Sequence, residues 1–309
     1  MNVTVRDLRP DAPADLEGFA RVRHRALPFL VLTADSVAHD LAHLPPEARY
    51  RPLVAVADGE VIGTAQVRLS HDSAEPGQGH VNVYVDPDHT RRGAGALLVR
   101  AAEEHLTAHQ AVRLHSWVLD APDNRAFAER RGYRPSRSAH FLRLDLAHGA
   151  LPPRQDPPPG VELRQGSDFA GDLRPLFALD AEAAADEPSD VDVELTDYEA
   201  WLEEIWRHPL HDPALTSVAV VDGRPAAFSA AHTDGASRYS TSATGTARAY
   251  RGRGLAKLAK NESLHRARAA GCTEAFTGND TGNGPMLAIN EWFGYEVCAT
   301  EVRYVRELG

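Results

Sequence analysis

Cysteine is almost absent from the sequence, and long apolar runs are absent altogether. The two cysteines, Cys272 and Cys298, are too few for a disulfide framework, and their spacing fits neither a metal site nor a redox pair. No run of about 18 apolar residues occurs, so a membrane-spanning helix is not expected. The first residues also lack the basic start and apolar stretch of a secretory leader. We therefore expect a cytoplasmic protein.

Basic residues are in deficit as well. The 33 lysines and arginines are outnumbered by 44 acids, which gives a formal net charge of −11. A chain with this excess of acid repels nucleic acid, whereas small cationic molecules remain compatible partners. Its 309 residues, 43% hydrophobic and 25% charged, are typical of a globular protein of one large or two ordinary domains.

An internal repeat favours two domains. The hairpin turn Asp58-Gly59 recurs 164 residues later as Asp222-Gly223, and Gly93 recurs 161 residues later as Gly254. The aromatic corner Gly132-Tyr133 recurs 162 residues later as Gly294-Tyr295. Features that keep nearly the same offset indicate a duplication.

The repeat predicts two copies of one α/β domain, over residues 1–150 and 161–309. Between them, residues 151–160 are a proline-rich linker that can form neither a helix nor a central strand. Each copy reads as a strand, two helices, three strands, a long helix, a strand, a short helix and a final strand.

The stretch from Thr244 to Ala256 predicts a strand that ends in a basic, glycine-bearing turn and opens into a helix. Gly252 and Gly254 would let the backbone approach an anion, for which a helix start is a natural seat. A diphosphate fits this site. An ordinary strand–helix joint whose basic turn is exposed to solvent would have the same sequence pattern. The Gly-Lys-Ser/Thr ending of a P-loop is missing, and Lys257 stands where a dinucleotide fingerprint needs its third glycine.

Two motifs resemble those of GCN5-related N-acetyltransferases. The spacing Arg251-x-x-Gly254-x-Ala256 resembles the Q/R-x-x-G-x-G/A loop that holds the pyrophosphate of acetyl-CoA in that family. The segment from Asn283 to Tyr295 is similar to the N-x-x-M-x-x-I-N-x-x-x-G-F segment of two-domain actinobacterial members, the class that includes mycothiol synthase. The resemblance implies two tandem domains, each a mixed, mainly antiparallel sheet flanked by helices. It also implies acetyl-CoA as the acyl donor.

The resemblance further implies which residues hold the donor. The end of the strand before each loop would pair with the pantetheine arm, and the loop amides would bind the diphosphate. In the second copy these residues, with two asparagines near the short helix, are Thr246, Ala247, Arg248, Arg251, Gly252, Arg253, Gly254, Leu255, Ala256, Asn279 and Asn283. In the first copy they are Val83, Tyr84, Val85, Arg91, Arg92, Gly93, Ala94, Gly95 and Ala96. Thr90 replaces the loop's first cation there, so we expect the second copy to be catalytic.

The catalytic groups follow less directly from the resemblance. The tyrosine that many family members use as an acid is replaced by Ala128 and Asn290, so Asn290 is the candidate to contact the donor. Asn283 could instead cap the short helix. The stretch from Asp180 to Trp206 contains eleven acids, and Glu187 among them is our candidate base. A charge run is also typical of a solvated surface. We expect no metal.

The leading hypothesis is an enzyme that acetylates a primary amine of a small, cationic metabolite or antibiotic by direct attack on the thioester. One alternative is a non-catalytic acyl-CoA-binding regulatory or scaffold protein, since neither copy has the usual tyrosine. Another is transfer of a larger acyl group. The sequence assigns no oligomeric state.

Overall fold

A computed structural model describes residues 2–71, 73, 75–186 and 195–308, and the chain forms two compact units. Unit 1 contains Met1–Ala139 and Ala299–Gly309, and unit 2 contains His140–Cys298. Both units combine helices with a mainly antiparallel sheet. The predicted α/β fold class is therefore confirmed.

The first repeat has ten main elements in the predicted order. They are β1 (Thr4–Asp7), α1 (Pro13–Ala26), α2 (Ala34–His43), β2 (Leu53–Ala57), β3 (Glu60–Leu69), β4 (Gln78–Val85), α3 (Ala94–Ala108), β5 (Arg113–Leu119), α4 (Pro122–Glu129) and β6 (Arg134–Asp145).

The second repeat has the same order. Its elements are β7 (Val161–Gln165), α5 (Arg174–Ala184), α6 (Tyr198–Trp201), β8 (Ser217–Val221), β9 (Arg224–Thr233), β10 (Arg238–Thr246), α7 (Leu255–Ala269), β11 (Glu274–Asp280), α8 (Gly284–Phe293) and β12 (Glu296–Glu307). A π-helical turn, Leu202–Trp206, continues α6. Within the described ranges, no helix has the length and apolar character that crossing a membrane requires.

The Asp-Gly turns predicted from the sequence are present in both repeats. Asp58 and Gly59 have φ angles of 51° and 84°, and Asp222 and Gly223 have 51° and 76°. Two successive residues with positive φ form the tight hairpin turn that matches the twist of antiparallel strands. Each turn fixes the register of the first two strands of its meander.

The last strands of the two repeats are exchanged between the units. In unit 1 the strand order is β1-β2-β3-β4-β5-β12-β6, and β12 pairs antiparallel with β5 from Glu301 opposite Leu119 to Glu307 opposite Arg113. In unit 2 the order is β6-β11-β10-β9-β8-β7, and β6 contributes its residues from His140 onward. The boundaries of the compact units therefore differ from those of the two sequence repeats.

The long helix of each repeat packs on one face of its sheet and so fixes where the preceding loop lies. In unit 1, Leu98 and Leu106 of α3 are buried against Val81 and Leu114. In unit 2, apolar side chains of α7 are buried against β8, β9 and β10 (Leu255, Leu258, Leu264, Ala267, Ala219, Ala226 and Tyr239). Burying such faces is the main source of helix stability in a domain of this size.

Candidate active site

Strands β10 and β11 run side by side for three residues and then separate. Their parallel register joins Arg238–Ser240 to Glu274–Phe276. Beyond these residues β10 continues to Thr246 against β9, while β11 continues to Asp280. Strand edges that no longer pair with each other present backbone donors and acceptors to an extended ligand. Unit 2 therefore has an opening between two strands, which we call the β10–β11 opening.

Strand β10 contains a bulge beside this opening. Its register with β9 shifts between Thr241 and Ala243, so Ser242 is an extra residue on β10. A bulge leaves one backbone group out of the ladder and re-aims the strand. In unit 1 the corresponding pair, β3 and β4, keeps one register from Leu69 opposite Gly79 to Gly63 opposite Val85. The two repeats thus differ at the position where a backbone N–H could reach a ligand.

The loop that follows β10 leads into the start of helix α7. Gly252 and Gly254 have φ angles of 74° and 76°, and a Cβ on either would meet no atom within 4 Å. The glycines are therefore required by the backbone conformation, and the space beside them is open. Gly254 is the N-cap residue, and no side chain caps the first turn in the described chain. The exposed N–H groups and the positive end of α7 form an anion seat.

Two arginines of this loop are held by carboxylates near the end of α5. Arg248 Nη2 lies 2.8 Å from Asp186 Oδ1, and Arg251 Nη2 lies 2.5 Å from Asp186 Oδ2. The backbone N–H of Arg248 donates to Glu182 Oε1 at 2.5 Å. Hydrogen bonds from both guanidinium groups hold the pKa of Asp186 well below its usual range. A diphosphate in the loop would compete with Asp186 for the same two cations.

Apart from Asn279 and Asn283, the residues that the sequence assigned to the donor in the second copy form one continuous stretch from the end of β10 to the start of α7. The N–H of Ala247 donates to Ala226 O at 2.9 Å, and Arg251 Nε donates to Thr246 O at 3.2 Å. Leu255 is buried as the first residue of α7, and Arg253 is exposed. The complete set in this stretch is Thr246, Ala247, Arg248, Arg251, Gly252, Arg253, Gly254, Leu255 and Ala256.

The corresponding loop of unit 1 has the same path but different groups. Gly93 is the N-cap of α3 with a φ of 87°, and Arg91 has a φ of 61° where the second repeat has Gly252. A side chain in the left-handed region is uncommon. Arg91 Nη2 lies 2.5 Å from Asp123 Oδ2. Arg92 lies in the loop itself, and the other predicted residues lie at the end of β4 (Val83, Tyr84 and Val85) or at the start of α3 (Ala94, Gly95 and Ala96).

A tyrosine of unit 1 stands where unit 2 has a glycine. A Cβ on Gly245 would lie 2.5 Å from the Ala183 side chain, so this position needs glycine for α5 to approach β10. In unit 1 the equivalent Tyr84 is buried, and its hydroxyl donates to Glu301 Oε1 at 3.0 Å. The buried guanidinium of Arg23 lies 4.7 Å from the Tyr84 ring. Side chains of unit 1 itself therefore fill this face of its sheet.

Aromatic side chains line the equivalent face of unit 2. Phe177 lies 5.5 Å from Tyr198 and 5.6 Å from Trp201, measured between ring centroids, and Trp201 lies 5.9 Å from Trp206. Phe177, Tyr198 and Trp206 are half-buried and pack in the same apolar cluster as Ala243, next to the bulge. An aromatic surface therefore adjoins the β10–β11 opening.

Three histidines lie at the edge of this aromatic surface. The His232 ring lies 5.5 Å from His208 and 6.3 Å from His211. Burial lowers the pKa of His211 to about 4 and that of His232 to about 3. Both rings are therefore neutral near pH 7. His208 and His211 are three residues apart in the sequence, but no local signal indicates that His232 joins them.

Several acids of the stretch from Asp180 to Trp206 have partners within the chain. Asp180 Oδ2 accepts a hydrogen bond from Trp201 Nε1 at 2.8 Å, and Asp197 caps α6. Glu182 and Asp186 bind the loop, as described above. Glu187, the candidate base, lies outside the described residues. The assignment of Glu187 as the base therefore stays a prediction from the sequence.

Asn290 and Lys260 form a buried pair that the sequence did not predict. Asn290 is fully buried, its Oδ1 accepts a hydrogen bond from Lys260 Nζ at 2.6 Å, and its Nδ2 donates to Asn279 Oδ1 at 2.6 Å. Lys260 has no exposed surface, and burial lowers its pKa to about 7. One signal was available, because Lys260 shares a helix face with Leu264 and Ala267.

Asn283 has the capping role that the sequence offered as an alternative to ligand binding. It is the N-cap of α8, and its Oδ1 accepts a hydrogen bond from the Met286 N–H at 3.3 Å. This bond satisfies one of the unpaired amides at the start of the helix.

Comparison with known proteins gives consistent results. The acetyltransferase (GNAT) family pattern matches residues 19–133 and 177–295. A mycothiol acetyltransferase from Thermomonospora curvata is 29% identical over 262 residues, which is 83% of this chain and 82% of that relative. A GCN5-related N-acetyltransferase from Sphaerobacter thermophilus superposes with a TM-score of 0.72 at 23% identity, over 99% of this chain and 95% of the other. A tandem GNAT protein from the clavulanic acid biosynthesis pathway superposes with a TM-score of 0.72 at 20% identity, over 100% and 99% of the two chains.

Proposed function

The chain belongs to the acetyltransferase (GNAT) family and is an N-acetyltransferase, and from this premise we propose that unit 2 transfers the acetyl group of acetyl-CoA to a primary amine of a small, cationic molecule. One observation carries the choice of unit. The bulge at Ser242 distinguishes unit 2, because β4 in unit 1 has no register shift, whereas both units have a parallel strand pair of three residues and a long helix that starts at an uncapped glycine. In unit 2 the opening would provide a path for the pantetheine arm, the bulge an N–H for the thioester and the start of α7 a seat for the diphosphate.

The reaction requires few side chains. The amine nitrogen attacks the thioester carbonyl carbon, the C–N bond forms, and the C–S bond breaks with its electron pair on sulfur. A backbone N–H at the bulge would stabilise the negative charge that develops on the carbonyl oxygen. Binding the donor at the loop and along β10 would hold the thioester in place for the attack.

A cationic acceptor is supported by the aromatic surface beside the bulge. Phe177, Tyr198 and Trp206 present half-buried rings in the cluster that includes Ala243. Ring faces attract ammonium groups, more strongly when water is excluded. The carboxylates of Asp180 and Asp197 contribute less to binding a cation, because both are hydrogen-bonded within the chain.

Unit 1 is proposed to bind the donor weakly or to serve as a structural partner. Its β4 has no register shift against β3, and Tyr84 and Arg23 fill the face where the second repeat has its aromatic surface. An amine could not approach a thioester on β4 without moving these side chains.

Release of free CoA from acetyl-CoA in the presence of amines tests the proposal. A polyamine or an aminoglycoside should be acetylated, and its kcat/KM should exceed that of a monoacetylated or singly charged analogue and fall as salt is added. Binding of acetyl-CoA without turnover of any amine would instead support the non-catalytic alternative. A longer acyl-CoA that is turned over faster than acetyl-CoA would support transfer of a larger group.

A second candidate acceptor comes from the relative that is named a mycothiol acetyltransferase. Deacetylated mycothiol belongs in the same amine panel. If the kcat/KM for this compound exceeds the values for the polyamines, deacetylated mycothiol replaces the cationic molecule as the proposed acceptor.

A further inference from the structure

Lysine is rare in this chain and confined to one helix. Of the 33 basic residues only Lys257 and Lys260 are lysines, and both lie on α7 directly after the loop that contains Arg251. Lys257 is half-buried, with its Nζ 3.3 Å from the centroid of the Trp292 ring. Lys260 is fully buried. Burial can lower the pKa of a lysine until the side chain is neutral, whereas an arginine at the same position would stay charged.

The surroundings of Lys260 do not compensate its charge. In the described part of the chain no carboxylate offsets its charge, and Nζ lies 5.0 Å from the centroid of the Tyr295 ring. Its hydrogen bond to Asn290 Oδ1 is with a neutral amide. Burial therefore lowers the pKa of Lys260 to about 7, which means that the ammonium form costs stability. A methionine of similar length would avoid this cost, so the lysine is explained better by function than by packing.

The ammonium group sets the direction of the hydrogen bonds that start from it. Nζ donates to Asn290 Oδ1 at 2.6 Å, and below the pKa of about 7 the ammonium form can only donate, so Asn290 turns its Oδ1 toward Nζ. The Nδ2 of Asn290 then faces Asn279 and donates to Asn279 Oδ1 at 2.6 Å. Asn279 consequently has its oxygen occupied, and its own Nδ2 is left as a donor for a third group. One buried lysine thereby fixes the orientation of two amides.

The outer end of this chain of hydrogen bonds lies at the β10–β11 opening. Asn279 is on β11, three residues beyond Phe276, where the pairing with β10 ends. It is half-buried, whereas Asn290 and Lys260 are fully buried. The donor group of Asn279 is therefore the part of the network that a ligand in the opening could reach.

We propose that Lys260 is a positioning residue, which holds Asn290 and Asn279 so that Asn279 Nδ2 donates a hydrogen bond to the sulfur of the acyl donor as it becomes a thiolate. This inference rests on the proposed function of unit 2. As the amine forms the C–N bond and the C–S bond breaks, the electron pair stays on sulfur, and the amine proton passes to solvent. The N–H of Asn279 stabilises the thiolate without transferring a proton. It takes the place of the tyrosine acid that the sequence lacks.

An Asn290→Asp variant tests the direction of the network. Aspartate has the same shape and forms an ion pair with Lys260, but it has no N–H to donate. Asn279 must then turn its Nδ2 toward the new carboxylate and present its oxygen to the opening. We expect the thermal stability to be kept or raised, kcat to fall about 100-fold, as when one donor to a developing anion is lost, and the KM for acetyl-CoA to stay within about threefold of the wild type. A purely structural role predicts unchanged kcat.

Two further measurements complete the test. Asn279→Asp changes a half-buried residue and should lower kcat by a similar factor, which keeps the inference testable if Asn290→Asp does not fold. The pKa of the thiol of bound CoA, followed by thiolate absorbance, should be lower on the wild type than on either variant. A kcat within about threefold of the wild type in a folded Asn290→Asp or Asn279→Asp variant overturns the inference. A wild type that binds acetyl-CoA but acetylates no amine overturns the proposed function instead.

Discussion

Arg251 is ion-paired with Asp186, with 2.5 Å between Nη2 and Oδ2. The same carboxylate also binds Arg248, so one acid beyond the end of α5 engages two cations of the loop that we assign to the diphosphate. An acid outside the loop therefore neutralises two of its cations, and a diphosphate bound there would compete with Asp186 for them. This arrangement was not visible in the sequence, because 65 residues separate the two members of the pair.

We predict that Asp186→Asn tightens the binding of acetyl-CoA. The substitution frees both guanidinium groups for the diphosphate, and because solvent screens this ion pair we expect an affinity gain of at most roughly fivefold. Titration calorimetry at low salt should show the gain, and added salt should reduce it. Glu296→Gln, at an exposed position on β12, is the matched control for loss of one negative charge. Weaker binding by Asp186→Asn alone would mean that Asp186 orients the arginines for the donor.

We predict that Lys260 makes stability depend on pH. Its pKa is about 7 in the folded chain and 10.5 ordinarily, so between these values the unfolded chain binds more protons and stability rises with pH. Relative to Lys260→Met, the wild type should gain on the order of 2 kcal/mol in free energy of unfolding between about pH 7 and about pH 9. Denaturant titrations of both proteins at several pH values measure this difference. A difference that does not change with pH would show that Lys260 is not buried as described.

We predict that Asn283 acts as a cap and not as a donor ligand. Asn283→Ala removes the hydrogen bond to the Met286 N–H and should lower the free energy of unfolding by about 1 kcal/mol. Asn283→Asp keeps an acceptor at the helix start and should keep the stability. Both variants should bind acetyl-CoA within about twofold of the wild type in calorimetry. An Asp variant that is stable yet loses affinity would assign a ligand role to the Asn283 amide.

The features that the sequence predicted are those with a local signal. Asp58-Gly59 and Asp222-Gly223 specify tight turns through their own backbone preferences, and Gly252 and Gly254 are needed for a loop with positive φ. Helix α5 begins at Arg174, after a separate 3₁₀ turn over residues Gly166–Phe169. Local patterns therefore predict the order of the elements and the position of the loop.

The features that the sequence could not predict depend on partners far along the chain. The alternation of side chains in β12 does not specify whether this strand pairs with β5 or with β11. The exchange of the last strands therefore has no local signal in the sequence. The bulge at Ser242 depends on how β10 meets β9, and the burial of Lys260 depends on α8 packing over α7 through Asn290. For these, only the folded arrangement reveals the role of the residue.

The central claim is that the loop of unit 2 binds the acetyl-CoA that is turned over. Gly254→Val and Gly93→Val make a matched pair, since both glycines are N-cap residues with positive φ, at 76° and 87°, and a Cβ on either meets no atom within 4 Å. A branched side chain strains this conformation and covers the first amides of the helix.

The decisive measurement is acetyl-CoA-dependent release of CoA by these two variants, with thermal unfolding as the control for folding. We predict that Gly254→Val lowers kcat/KM for acetyl-CoA at least about tenfold, whereas Gly93→Val stays within about twofold of the wild type. Loss of activity from a folded Gly93→Val variant, with activity retained by Gly254→Val, would contradict the assignment of catalysis to unit 2.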